Sequence, residues 1–175
     1  MNTVNNKRKK ESQKKIEKVF VELIQEKEID QISVTDICKH ANLNRTTFYA
    51  NYIDIYDLAD KIREKLEKDV ESLYKDEFER QYNSNNFLKI FEHIKDNQMF
   101  YKTYFKLGFD NSPIKYYDYN QAKEFYNNKY IDYHIEFFKA GLNAIIKKWL
   151  YNGCIETPEE INEIITAEYT KKELR

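Results

Sequence analysis

The stretch ISVTDICKHANLNRTTFYANY, residues 32–52, holds two short helical patterns separated by a single asparagine. In the first, Val34, Ile37, Cys38 and Ala41 recur at the spacing of one helix face, and Ser33 stands where a hydroxyl caps the first free backbone N–H groups. Asn42 follows, and asparagine is the non-glycine residue that best tolerates the left-handed backbone of a sharp interhelical turn. Leu43 points inward. Asn44 is then an N-cap for a third helix, from Arg45 to about Tyr52, whose inner positions Phe48 and Tyr52 recur at i and i+4. Arg45, Thr46, Thr47, Tyr49 and Asn51 are left outside.

Two helices joined through a tight turn, the second too short to persist alone and polar on its outer side, form the helix-turn-helix arrangement that lays a helix in the DNA major groove. The residue types suit that task. Arg45 can donate in bidentate fashion to guanine O6 and N7, and Thr46 and Thr47 can hydrogen-bond a base or meet a thymine methyl. Tyr49, Asn51 and Thr35 suit phosphate oxygens. With the cap Asn44 and with Tyr52 at the helix end, these make up the candidate DNA-contacting set.

Upstream, Ile16, Val19, Phe20, Leu23 and Ile24 give one amphipathic helix from Lys14 to Glu26. Before it, residues 1–12 read as a basic arm, and residues 1–18 hold seven Lys and Arg against two Asp and Glu. Basic residues placed there add nonspecific attraction to a polyanion. Residues 1–53 carry ten basic against seven acidic side chains and residues 54–175 carry 19 against 23, so a basic head precedes an acidic body although the net charge is only −1.

Downstream, Asp54 can cap a fourth helix whose stripe Leu58, Ile62, Leu66, Val70 and Leu73 runs to about Gln81, a rod of about 40 Å at ~1.5 Å per residue. FLKIFEHIKDN and QMFYKTYFKLGF read as two short helices, DNSPIKYYDYNQ as a loop, and a long pattern runs from about Phe125 to Tyr151. Thr157, Pro158 and two glutamates then mark the start of a last helix. Three Gly and two Pro in 175 residues leave little for tight β-turns, so the expected fold class is all-α. It divides into a three-helix DNA-binding domain over residues 1–54 and a helical-bundle regulatory and dimerisation domain over 55–175.

Other function classes find little support. Cys38 and Cys154 have no CxxC spacing, and His40, His93 and His134 have no metal-ligand spacing. Phosphate loops and nucleophile motifs are missing too, so neither an enzyme, a cofactor nor a metal is implied. A start without an apolar signal core and the lack of an 18-residue apolar run point to a cytoplasmic chain with no membrane partner. The abundance of Tyr and Phe, shared with Lys, Asn and Ile, reads as AT-rich codon usage before it reads as an aromatic binding box.

Residues 32–62 resemble the DNA-binding segment of the TetR/AcrR family of bacterial repressors. The residues that carry the resemblance are Val34-Thr35-Asp36-Ile37-Cys38, the turn Asn42-Leu43-Asn44, the helix Thr46-Thr47-Phe48-Tyr49-Ala50-Asn51-Tyr52, and Asp57-Leu58 after it. Two positions depart from the family pattern: Ile55 replaces a lysine that steadies a phosphate, and Asn51 replaces a histidine or arginine. More loosely, FFKAGLNAIIKKWLYNGCIETPEEINEII is similar to the family's last two helices, which pair with their copies in a homodimer. That similarity implies an interface of Phe138, Gly141, Leu142, Ile145, Trp149, Ile161 and Ile164, with packing inside one subunit as the alternative.

The family resemblance also implies a small-molecule inducer pocket, for which Met99, Phe100, Tyr104, Tyr126, Tyr130, Tyr133, His134 and Phe137 are candidates by position. Core packing is again the alternative. The function implied is a ligand-responsive repressor, binding a near-palindromic double-stranded DNA operator as a homodimer. A protein-interaction co-regulator with weak or lost DNA binding is the alternative that Ile55 and Asn51 keep open.

Overall fold

A computed structural model describes residues 4–80, 86–109, 123 and 126–169 of the chain. Within these residues the fold is all-helical: α1 (Val4–Glu26), α2 (Val34–Ala41), α3 (Arg45–Tyr49), α4 (Ile55–Leu73), α5 (Lys75–Glu79), α6 (Leu88–Asp96), α7 (Gln98–Lys106), α8 (Ile131–Tyr151) and α9 (Pro158–Tyr169), with one 3-10 turn at Ile29–Gln31. The loop expected in DNSPIKYYDYNQ lies outside the described residues. No helix among the described residues is long and apolar enough to cross a membrane.

The local signals in the head act as their chemistry dictates. Ser33 Oγ accepts from Asp36 N at 3.0 Å while Asp36 Oδ2 accepts from Ser33 N at 3.1 Å, a reciprocal cap; the Ser33 hydroxyl, donating to Asp36 Oδ2 at 2.7 Å, and then the Ser33 amide hold the Asp36 carboxyl below its usual range. Asn42 takes the left-handed conformation at φ 52°, ψ 50°. Thr157 and Glu160 form the same reciprocal cap on α9.

Besides α3, which ends at Tyr49 where about Tyr52 is expected, three boundaries differ from the sequence expectation. The first helix begins at Val4 rather than Lys14, so the described part of the basic arm is helical: its Lys, Arg and Glu are good helix formers. The fourth helix ends at Leu73, a rod of ~28 Å at ~1.5 Å per residue, and Tyr74 breaks it at φ −111°, ψ 13°. Its end is set from another element: Lys89 of α6 donates to Leu73 O at 3.2 Å and pairs with Asp76 and Glu77. The long late helix starts at Ile131, because Asn127, Asn128 and Tyr130 have φ of 50°, 58° and 52°, outside the right-handed helical region.

One apolar cluster runs through head and body, from Ile16, Phe20, Ile37 and Phe48 through Leu58, Ile62 and Leu66 to Phe91, Tyr101, Leu142, Trp149 and Ile165. Phe91 meets Trp149 edge-on at 6.0 Å, and the Trp149 indole N–H donates to Glu156 O at 3.1 Å, tying α6, α8 and the α8–α9 turn together. Cys38 and Cys154 are buried, and burial pushes both thiols up, so they serve as small apolar residues.

Candidate nucleic-acid interface

The short third helix α3 is stable only because its two ends and its inner side are held. At its start Asn44 Oδ1 accepts from both Thr47 N, at 2.7 Å, and Thr47 Oγ1, at 2.8 Å. Phe48 is fully buried beneath it and meets the rings of Tyr49 and Tyr52 at 5.6 Å. At its end Lys61 of α4 donates to Asn51 O at 3.1 Å and to Asp57 Oδ2 at 2.9 Å. Donation from Ile53 N–H and from Lys61 holds the Asp57 carboxyl below its usual range.

Thr35, Asn44, Arg45, Thr46 and Tyr49 stand exposed on the head, and Thr47 and Asn51 are half-buried. Arg45 Nη2 donates to the Tyr49 hydroxyl at 3.2 Å, with its guanidinium 5.8 Å from the Tyr49 ring centroid. The tyrosine thus props the arginine outward with several N–H donors still free to bind a base edge or phosphate. Thr47 spends its hydroxyl proton on Asn44, and Asn51 donates from Nδ2 to Thr47 O at 2.7 Å.

Tyr52 departs from the expected set. It is 2% exposed and donates its hydroxyl to Glu17 Oε1 at 3.2 Å, which places it among the groups that fix the helix rather than those that meet a ligand. The reason is periodicity: four residues after Phe48, it shares the buried side. Burial first, and Glu17 second, drive its phenol far above the ordinary value, so it remains a donor. Ile55 is buried as well, so at the start of α4 the outward side chain is Tyr56.

Two positioning residues were not marked in the sequence. Glu17, lone among basic neighbours on α1, accepts from Tyr52 and also from Lys65 Nζ at 2.7 Å, linking α1, α3 and α4. Lys61 at i+4 from Asp57 is readable as a helix pair, but its bond to the α3 carbonyl is not. Beside α3 lies an open groove of about 360 Å³, lined by Arg8, Lys9 and Ser12 of α1 and by Asn44, Thr46, Thr47, Ala50 and Asn51.

The eight inducer-pocket candidates are not brought together. Tyr104 is buried with its hydroxyl 3.5 Å from Glu67, Phe100 is half-buried with Lys65 of α4 over its ring, and Tyr126 stacks on His134 at 3.7 Å. Met99 is exposed, and Tyr130, Tyr133 and Phe137 face solvent. Of the expected interface residues, Phe138, Leu142, Trp149 and Ile161 are buried in the subunit's own core, while Gly141 and Ile145 are half-buried and Ile164 is exposed. The outward side of α8 instead carries Tyr133, Phe137, Ala140, Ala144 and Tyr151. Among the described residues no cluster of three or more His, Cys, Asp or Glu has the arrangement of a metal site.

Residues 81–168 match the TetR-type family described as transcriptional regulator C-terminal region. The chain is 33% identical over 94 residues to the HTH-type dhaKLM operon transcriptional activator DhaS of Lactococcus lactis subsp. lactis (strain IL1403), over 54% of this chain and 49% of the relative. That match spans about half the length of the curated relative. Among solved structures, the dihydroxyacetone kinase operon activator DhaS superposes with a TM-score of 0.54 at 23% identity, covering 90% of this chain and 93% of the other, a likeness of fold. A capped helix-turn-helix head, an all-helical body and this match across the C-terminal half place the chain in the TetR family of transcriptional regulators.

Proposed function

We propose that the chain acts as a homodimeric regulator whose residues 1–54 bind a near-palindromic DNA operator through α3, while residues 55–175 pair the subunits and sense a signal. One observation carries the reading. Arg45, Thr46 and Tyr49 project from a five-residue helix that is fixed from below by Phe48, from its start by Asn44 and from its end by Lys61. A helix so short gains nothing from propensity, so its anchoring serves the side chains it presents.

In this reading the subunits pair through the outward side of α8. Tyr133, Phe137 and Tyr151 are 79%, 78% and 85% exposed, with Ala140 and Ala144 between them and Ile155 and Ile164 nearby in the chain. An apolar stripe of this kind marks a protein-contacting surface. A methyl group at Gly141 would meet nothing within 4 Å, so no neighbour inside the subunit demands glycine there.

Response to a small molecule belongs to the same proposal, and α1 supports it as the link. Its far end is bonded to α7, by Gln25 Nε2 to Thr103 Oγ1 at 3.0 Å and by Lys106 Nζ to Lys27 O at 3.2 Å, while Glu17 holds Tyr52 at the near end. A shift of α7 would therefore reach the recognition helix. Repression is what the family resemblance implies; the relative's name favours activation, and a promoter fusion in cells lacking or overproducing the protein reads the sign.

Titrating the purified protein against DNA from upstream of its own gene at two salt concentrations tests the core of the proposal. Sequence preference and a steep loss of affinity with salt are expected. Equal, weak binding to all duplexes would favour the protein-interaction alternative.

A further inference from the structure

The inner stripe of α1 changes character where it leaves the core. Ile16, Val19, Phe20 and Leu23 are buried; one and two turns earlier the same side presents Ser12 and then Arg8, with Lys9 beside it. These three residues form one wall of the open groove whose other wall is α3, so the exposed side chains of Arg8 and Lys9 stand beside the recognition helix. Lys7 and Lys10 lie on the opposite side of α1 and do not line the groove.

The charges in the groove are unspent. Along α4 and further into the body many cations are paired, as Lys61, Arg63, Lys65, Lys89, Lys106 and Lys139 are. Arg8 and Lys9 have no acidic partner among the described residues, and Ser12 turns its hydroxyl proton back onto Arg8 O at 2.9 Å. Across the groove Thr46 is exposed, while Asn51 has a buried Oδ1 that no donor in the described residues reaches. Two cations without acidic partners among the described residues, facing an exposed hydroxyl, suit a singly charged, oxygen-rich group such as a phosphate.

We infer that Arg8 and Lys9 hold one backbone phosphate of the operator in this groove, and by doing so set the register of α3 along the major groove. They act as positioning residues, distinct from the diffuse attraction that any basic arm supplies. The inference rests on the DNA-binding reading above and assigns it a particular phosphate contact.

The test compares two variants with equal loss of charge, Arg8→Ala/Lys9→Ala and Lys7→Ala/Lys10→Ala, on a selected operator. The groove variant should make the log–log salt dependence shallower by about 1, against a smaller change for the other pair. Phosphate-ethylation interference should show one position per half-site that blocks the native protein and no longer matters to the groove variant. Equal salt slopes for the two variants, or an interference pattern that the groove variant leaves intact, would overturn the inference while leaving DNA binding standing. A native protein that shows no preference for any duplex would remove the DNA-binding reading, and this inference with it.

Discussion

The head and the body turn opposite kinds of surface outward. In the head, Ile16, Phe20, Ile37, Phe48 and Tyr52 are drawn inside, and Arg8, Lys9, Arg45 and Thr46 are left outside, the cations without acidic partners among the described residues. On the body the cations Lys89, Lys106 and Lys139 are tied to carboxylates, while Tyr133, Phe137, Tyr151 and Ile155 stand in water. Unpaired cations beside a hydrogen-bonding helix suit a polyanion, and bare aromatic rings suit an apolar surface. The two ends of one continuous core thus present different chemistry.

The largest expected effect tests whether the head stands on its buried ring. Phe48→Ala should cost about 3 to 5 kcal/mol in chemical denaturation and abolish operator binding, because Phe48 is fully buried under α3. A loss under about 1 kcal/mol would show that α3 is held by its caps alone. Phe137→Glu probes the other end: like charges facing across a dimer cost several kcal/mol. A monomer that keeps its helical circular dichroism is the expected result by light scattering, and an undisturbed dimer would move the interface off this side of α8.

Arg45→Ala should weaken operator binding by about 1 to 3 kcal/mol and relax base preference at one position per half-site. Unchanged specificity would restrict Arg45 to phosphate contact. The smallest effect belongs to a contact inside the body, where His93 Nδ1 lies 2.8 Å from the Tyr101 hydroxyl. Burial holds the imidazole below its ordinary value of 6.5. The unfolded chain then binds the extra proton first, so this contribution is complete above pH 6.5 and is lost as the pH falls through the lower folded value. His93→Gln should flatten the acid side of the stability profile below about pH 6.5, and an unchanged profile would assign that slope to the carboxylates.

The two regions also differ in how far their residues announce their structure. Ser33, Asn42, Asn44 and Asp54 each work on backbone groups no more than four positions away, and each takes the role its side chain implies. No such local signal orients α8. Tyr133 and Phe137 on one side and Phe138, Leu142 and Trp149 on the other are all apolar, so periodicity finds a helix but not which side faces the core. The inducer candidates were scattered for a related reason: they share position along the chain, whereas a cavity requires shared direction.

Caps and apolar spacing act within one or two helical turns, so the order of residues already implies a helical chain, the place of the turn in the head, and Arg45, Thr46 and Tyr49 turned out of it. That Tyr52 is buried on Glu17, that Lys89 ends α4 at Leu73, and that Arg8 and Lys9 face α3 across a groove emerge from the packing of distant helices. Those outcomes depend on which distant side chain arrives to satisfy a hydroxyl, a carbonyl or a charge, and that is fixed only when the helices pack against one another.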